Sequence, residues 1–173
     1  MKIIRTFLIT AISLLLVLSM TSCAVLNILS EQAKEFRSRD MVLTLNSTFG
    51  EVKSDNEDGT TFVSLSGLGV IVIEESFEDM LAQGVEDPAS ITLEQYRDAF
   101  AEANHYDATV AEIEGLTAFT YFNTNDGDSY KLLVCIYQSE TAFWSVQFMS
   151  LSSEYDQHER QFIEWAKKIT FAD

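Results

Sequence analysis

Apolar residues follow three regimes along this chain. From Ile3 to Leu18 they form a run that contains no acid and stands among Lys2 and Arg5. Residues 24–40 have no period and read as a tether with partial helical character. From Met41 onward the spacing becomes that of strands and helices in turn. Met41–Leu45 is a first strand. The turn cluster Lys53-Ser54-Asp55-Asn56-Glu57-Asp58-Gly59 leads into a second, Thr61–Leu65, and Gly67 separates it from a third, Gly69–Ile73. Val70, Ile71, Val72 and Ile73 are apolar on both alternations, which predicts a strand covered on both faces.

Phe77–Ala82 is a short helix before a loop with Gly84 and Pro88. Thr92 then opens a longer helix, with Gln95 three residues on as in a capping box. Leu93, Tyr96, Ala99, Phe100 and Ala103 form its expected buried stripe. Four β-prone runs follow: Thr109–Ile113, Leu116–Phe122, Ser129–Gln138 and Thr141–Ser150. Their connections, among them Glu114-Gly115 and Asn125-Asp126-Gly127-Asp128, are short enough to force antiparallel neighbours, so the runs form a meander. In the third run Leu132, Val134 and Ile136 alternate with Leu133, Cys135 and Tyr137. In the fourth, Trp144, Val146 and Phe148 oppose Phe143 and Met149. A sheet apolar on both faces needs a layer on each side. A last helix over residues 154–169 supplies one through Tyr155, Phe162, Trp165, Ala166 and Ile169. The fold class is therefore α+β: a mainly antiparallel sheet of about six to seven strands flanked by helices.

The first regime is an export signal. Its positive start and short apolar run suit a cleavable secretory peptide better than a spanning helix, which needs about 20 apolar residues. Leu18-Ser19-Met20-Thr21-Ser22-Cys23 reads as a lipobox, with Met20 departing from the usual Leu and small residues Thr21 and Ser22 before the cysteine. Cys23 is then the lipidation site. The alternatives are a spare cysteine after an ordinary signal and an uncleaved anchor over residues 3–20. The organisation expected is a lipoprotein signal peptide (1–22), a lipidated tether (23–40) and one globular α+β domain (41–173). The partner implied is the membrane itself, through the lipid on Cys23, on the extracytoplasmic face of the cell membrane.

Charge narrows the partners further. The chain holds 27 acidic and 11 basic residues, and Lys2 and Arg5 leave with the signal, so the mature part carries nine bases and a formal charge of −18. Nucleic acid is excluded as a partner, because binding it requires Lys and Arg at the phosphates. Lys34, Arg37 and Arg39 sit just after the anchor, where an anionic lipid surface attracts a base by about 1 kcal/mol. They are otherwise solvated linker charges. With Cys23 acylated, Cys135 stands alone and no intramolecular disulfide forms.

The mature part resembles the Mog1/PsbP-like α/β/α sandwich, and within it small clostridial-type lipoproteins, over residues 41–171. The resemblance lies in Val70-Ile71-Val72-Ile73-Glu74-Glu75, Thr92-Leu93-Glu94-Gln95-Tyr96, Ile113-Glu114-Gly115-Leu116, the strands Tyr130–Tyr137 and Ala142–Phe148, and Phe162–Phe171. Members serve as photosystem accessory subunits, nucleocytoplasmic transport factors and actinobacterial envelope lipoproteins. The resemblance therefore implies binding to other proteins. It transfers no residue's role, since its motifs are packing motifs.

Legible chemistry is sparse. His105 and His158 have no metal-ligand spacing around them and read as a helix-end and a solvated histidine. The Gly59 and Gly127 turns carry Asp and Asn, but counting an EF-hand from Ser54 puts Leu65 at the twelfth position, and turn chemistry accounts for both. Ser66 lacks a nucleophile elbow. Acidic pairs such as Glu74-Glu75 and Glu78-Asp79 have the carboxylates of a two-carboxylate hydrolase site, but in a chain this acidic composition alone produces such pairs. Cys135, within an apolar strand, reads as a buried hydrophobe. No catalytic residue, cofactor or metal is assigned. The function expected is a non-catalytic accessory module that docks to an envelope protein. The alternative is a small-ligand binder with a pocket between sheet and helix lined by Tyr121, Tyr137 and Trp144.

Overall fold

The computed structural model describes residues 32–52 and 59–172. The signal region, Cys23 and most of the Lys53–Gly59 turn cluster lie outside the described residues. Among those described, no helix is long and apolar enough to cross a membrane.

Ten strands and three α-helices follow in order: β1 (Ala33–Ser38), β2 (Met41–Asn46), β3 (Phe49–Val52), β4 (Gly59–Ser64), β5 (Gly69–Ser76), α1 (Phe77–Ala82), α2 (Leu93–Ala103), β6 (Thr109–Ile113), β7 (Leu116–Asn125), β8 (Asp128–Gln138), β9 (Ala142–Leu151), α3 (Tyr155–Ala166) and β10 (Thr170–Phe171). A single 3-10 turn, Pro88–Ser90, precedes α2. Seven strands form one antiparallel sheet in the order β3-β4-β5-β9-β8-β7-β6, and β1-β2-β10 form a second, three-stranded sheet.

Local chemistry accounts for the predicted meander. Asp126 and Gly127 both take positive φ, 51° and 91°, between the paired residues Asn125 and Asp128. That is the two-residue turn whose twist matches antiparallel strands. The capping box is complete: Thr92 Oγ1 accepts from the Gln95 backbone N–H and Gln95 Oε1 accepts from that of Thr92. The alternation in β8 and β9 divides the core in two, as predicted. Leu133, Cys135, Trp144, Val146 and Phe148 meet α3, with its Tyr155, Phe162, Trp165 and Ala166, and the small sheet. Leu132, Val134, Ile136 and Phe143 meet α1 and α2 through Met80, Tyr96 and Ala101.

Four expectations are corrected. Residues 33–38, read as tether, are strand β1, paired along its whole length with β2. Strand pairing thus reaches back to Ala33. Phe36 is the one buried residue of β1, while Glu35 and Arg37 lie 3.7 Å apart and exposed. One inward residue leaves no period for the sequence to reveal. Met41–Leu45, counted toward the main sheet, lies in β2 of the small one, and the main sheet is completed by β3, in which only Phe49 is buried. The stripe of α2 runs through Leu93, Tyr96, Arg97, Phe100 and Ala101, while Ala99 and Ala103 are exposed. Two short alanines could satisfy the helical spacing without being needed by the core. Finally, Leu65 is not part of β4 but stands exposed in the turn after it.

Candidate functional site

The most consequential surface lies at one end of the main sheet. On its α3 side, β3, β4 and β5 are covered by the small sheet: Phe49, Phe62, Val70 and Val72 are 0–3% exposed, and the Phe36 ring packs 4.9 Å from that of Phe62. The opposite side of the same strands is open. Strand pairing places Val63 across from Gly50 and Gly69, Thr61 across from Val52 and Ile71, and Gly59 across from Ile73. Val52 is 47% and Val63 39% exposed, and Thr61, Ile71 and Ile73 are half-buried. The expected double coverage of Gly69–Ile73 is thus corrected, because α1 and α2 settle over β7, β8 and β9 and stop short of β3 and β4. A branched aliphatic left half in water forfeits on the order of 1 kcal/mol of burial. Contiguous residues of this kind mark a surface made for contact.

The acidic residues of this region are divided between the two sides of the sheet. Between Ser54 and Tyr96 the chain has ten acidic residues and no basic one. Glu75 stands on the open face at its α1 end and accepts from the Tyr96 hydroxyl at 2.8 Å. Its neighbour Glu74 points to the other side and pairs with Arg39 at 2.7 Å. That pair lies in a polar pocket of about 220 Å³ with Ser38, Thr60 and Asp79. The acidic pairs read from sequence are therefore divided, with Glu74 and Asp79 in one pocket and Glu75 on the opposite face. Arg37 and Arg39, read from the sequence either as bases for an anionic lipid surface or as solvated linker charges, lie beside Glu35 in an exposed pair and beside Glu74, respectively.

Of the three aromatics proposed to line a ligand pocket, Tyr137 and Trp144 are paired neighbours on the α3 side, while Tyr121 lies on the opposite side. Tyr121 lies on the α2 side, where its hydroxyl donates to Gln147 Oε1 at 3.0 Å and its ring stacks on Tyr106 at 4.0 Å. Trp144 is wholly buried on the α3 side. Tyr137 shares that side, donates to the Ala166 carbonyl at 2.9 Å and reaches an open depression with Leu116, Ala166 and Ile169, rimmed by Glu114 and Lys167.

Other candidates take structural positions. His105 ends α2 in the left-handed region at φ 56° and is exposed. His158, expected to be solvated, is half-buried with its ring 6.1 Å from that of Phe162. Ser66 shares a hydrogen bond with Ser64 in the β4–β5 turn. Among the described residues, no three His, Cys, Asp or Glu side chains converge as metal ligands would.

Cys135 is fully buried, and burial pushes its thiol up to about 12. In a Cys23→Ala chain Cys135 is the sole cysteine, and at pH 8 iodoacetamide will label it about a thousandfold more slowly in the native than in the urea-unfolded protein, following the thiolate fraction. Comparable rates would mean that this strand is open to solvent.

No family model matches the chain, and no curated protein sequence matches it significantly. Solved structures do resemble it. A Bacteroides thetaiotaomicron protein superposes with a TM-score of 0.56 at 13% identity, over 82% of this chain and 49% of that one. This chain thus spans about half the length of that protein. Cyanobacterial PsbP (CyanoP) from Synechocystis superposes with a TM-score of 0.54 at 11% identity, over 81% and 92%. A Mog1 variant gives a TM-score of 0.48 at 11% identity, over 82% and 97%. The chain has a PsbP-like α+β fold, as the CyanoP superposition shows. Fold at such identities carries no activity with it.

Proposed function

We propose that this chain is a lipid-anchored accessory protein of the extracytoplasmic membrane surface, without catalytic activity, whose globular domain docks to an envelope protein. The observation that carries the docking role is the open face of β3–β5, an apolar sheet surface left bare while its reverse side is 0–3% exposed. The address rests on the signal run, Thr21, Ser22 and Cys23. Because β1 begins at Ala33, only residues 24–32 separate Cys23 from the fold, a reach of roughly 30 Å at full extension. A partner must then lie at or near the bilayer. Two acyl chains hold such a domain firmly where one would not, each buried CH₂ adding about 0.8 kcal/mol.

Two measurements test this. In Triton X-114 partitioning the native chain enters the detergent phase and Cys23→Ala leaves it; retention of the variant would refute the lipid anchor. In-cell crosslinking of the tagged chain followed by mass spectrometry, against the Cys23→Ala control, yields one dominant membrane-dependent partner. Abundant, folded protein without a partner would favour a second reading, a small-ligand binder using the Tyr137 depression between the sheet and α3. A thermal-shift screen with lipids, sugars and peptides separates the two, since a pocket binder shifts Tm with one of these classes.

A further inference from the structure

We propose that the polar cavity at Arg39 is a binding site for a free α-amino acid with a small polar side chain. This rests on the cavity alone and is independent of the docking role above, which concerns the other side of the sheet. Three parts of the fold wall the space. Ser38 and Arg39 come from the end of β1 and the turn after it, Thr60, Val72 and Glu74 from β4 and β5, and Asp79 from α1. Thr60 is the register partner of Val72, and Glu74 follows two residues on along the same side of β5. The cavity thus opens between the small sheet and the main one. Its volume of about 220 Å³ falls below the range of about 300–1,000 Å³ that drug-sized ligands fill, so the occupant is a small molecule.

Charge on the cavity wall selects the occupant, because both signs stand there. Arg39 Nη1 lies 2.7 Å from Glu74 Oε2, and a guanidinium so engaged still has N–H donors for an anionic group. The Arg39 side chain is 71% exposed, whereas that of Glu74 is 14% exposed. Asp79 Oδ2 accepts from Ser76 Oγ at 2.5 Å, so each carboxylate keeps a second oxygen for a donor. An ammonium at Glu74 and Asp79, with a carboxylate at Arg39, makes charge-assisted hydrogen bonds at both ends of one small zwitterion. The hydroxyls of Ser38 and Thr60, 3.2 Å apart, line the rest of the space and suit a hydroxyl or amide side chain better than an aliphatic one.

Simpler occupants satisfy only part of this wall. Inorganic phosphate would meet two carboxylates for one guanidinium. A bare metal ion would meet the guanidinium, and among the described residues no three ligating side chains converge. An apolar ligand would find Val72 as the one aliphatic side chain of the lining. The backbone of Arg39 points the same way. It sits at φ 51°, a conformation that residues with a Cβ adopt at a cost and that glycine adopts freely. A turn that served only to join β1 to β2 would be better made by glycine, and strain of this kind is kept where a site needs the side chain.

Isothermal titration calorimetry on the full chain in detergent micelles tests the proposal. The probes are L-serine, L-threonine and L-asparagine, together with ethanolamine, which is serine without its carboxylate, and acetate. At least one of the amino acids should bind with a Kd of about 1 mM or tighter, and ethanolamine and acetate about tenfold more weakly or worse. Arg39→Gly places in the turn the residue its φ favours, and Asp79→Asn keeps an acceptor for Ser76 Oγ. Each should weaken the binding by about tenfold or more while circular dichroism shows the native fold. No binding by any of the three amino acids would overturn the site. Equal affinity for ethanolamine or acetate would overturn the zwitterion, and binding that survives both substitutions would place the ligand elsewhere. A failure of the lipid anchor or of the envelope partner would leave this result untouched, since neither enters the titration.

Discussion

Phe36→Ala will lower the unfolding free energy by about 3 kcal/mol, the lower end of the range for losing a buried phenylalanine ring. The ring is 8% exposed, sits opposite Leu43 in the β1–β2 pairing and packs on Phe62 across the space between the two sheets. Lys34 adds its ammonium 4.6 Å above the same ring. The lower end applies because β1 is an edge strand that can relax toward the gap. Urea unfolding followed by circular dichroism measures the change, with the midpoint falling and the m-value unchanged. The result also decides where the domain begins. Were residues 33–38 a tether, the same substitution would fall within about 0.5 kcal/mol of zero.

Trp144→Ala has the larger expected effect, about 4–5 kcal/mol, out of the 5–15 kcal/mol typical of a whole domain. Trp144 is wholly buried in β9, between β5 and β8, with Glu74 and Tyr137 as its paired neighbours. Its indole N–H donates to Ser139 Oγ at 3.3 Å, and its ring lies 6.0 Å from Phe171 of β10. The variant therefore loses ring packing between the main and small sheets together with a hydrogen bond at the β8–β9 turn. Thermal unfolding should shift by roughly 10 °C or more for a domain of this size. A loss below about 1 kcal/mol, with the fold intact, would contradict close packing here and return Trp144 to the ligand-pocket role that the sequence suggested.

How much was legible varied with the range of the interactions involved. The β7–β8 hairpin follows from Asp126-Gly127, since those two residues alone supply the positive φ values the turn requires. The start of α2 follows from Thr92 and Gln95, whose side chains close the capping box across one turn. The two-faced character of β8 and β9 was readable because strands of eleven and ten residues offer many alternations. By contrast β1, β3 and β10 offer one buried residue or none each, too few to reveal a period. Tyr121, Tyr137 and Trp144 are all aromatic β-positions, and nothing local tells which of them share a side of the sheet until register is known.

The open face was hidden for the same reason. In Val70-Ile71-Val72-Ile73 both alternations are apolar, and sequence alone treats them as equivalent. Only the docking of β1 and β2 over one side, and the stopping of α1 and α2 short of β3 and β4 on the other, makes Val70 and Val72 buried while Ile71 and Ile73 stay half-buried. By itself the sequence determined which segments form the strands of the meander and the helices, the acidic charge and the α+β class, because turns, caps and periodicities act within a few residues. The division into two sheets, the burial of Phe36, the separation of Glu74 from Glu75 and the bare strip on β3–β5 were decided by tertiary structure, because each depends on which distant segment comes to rest on a surface that local chemistry leaves undistinguished.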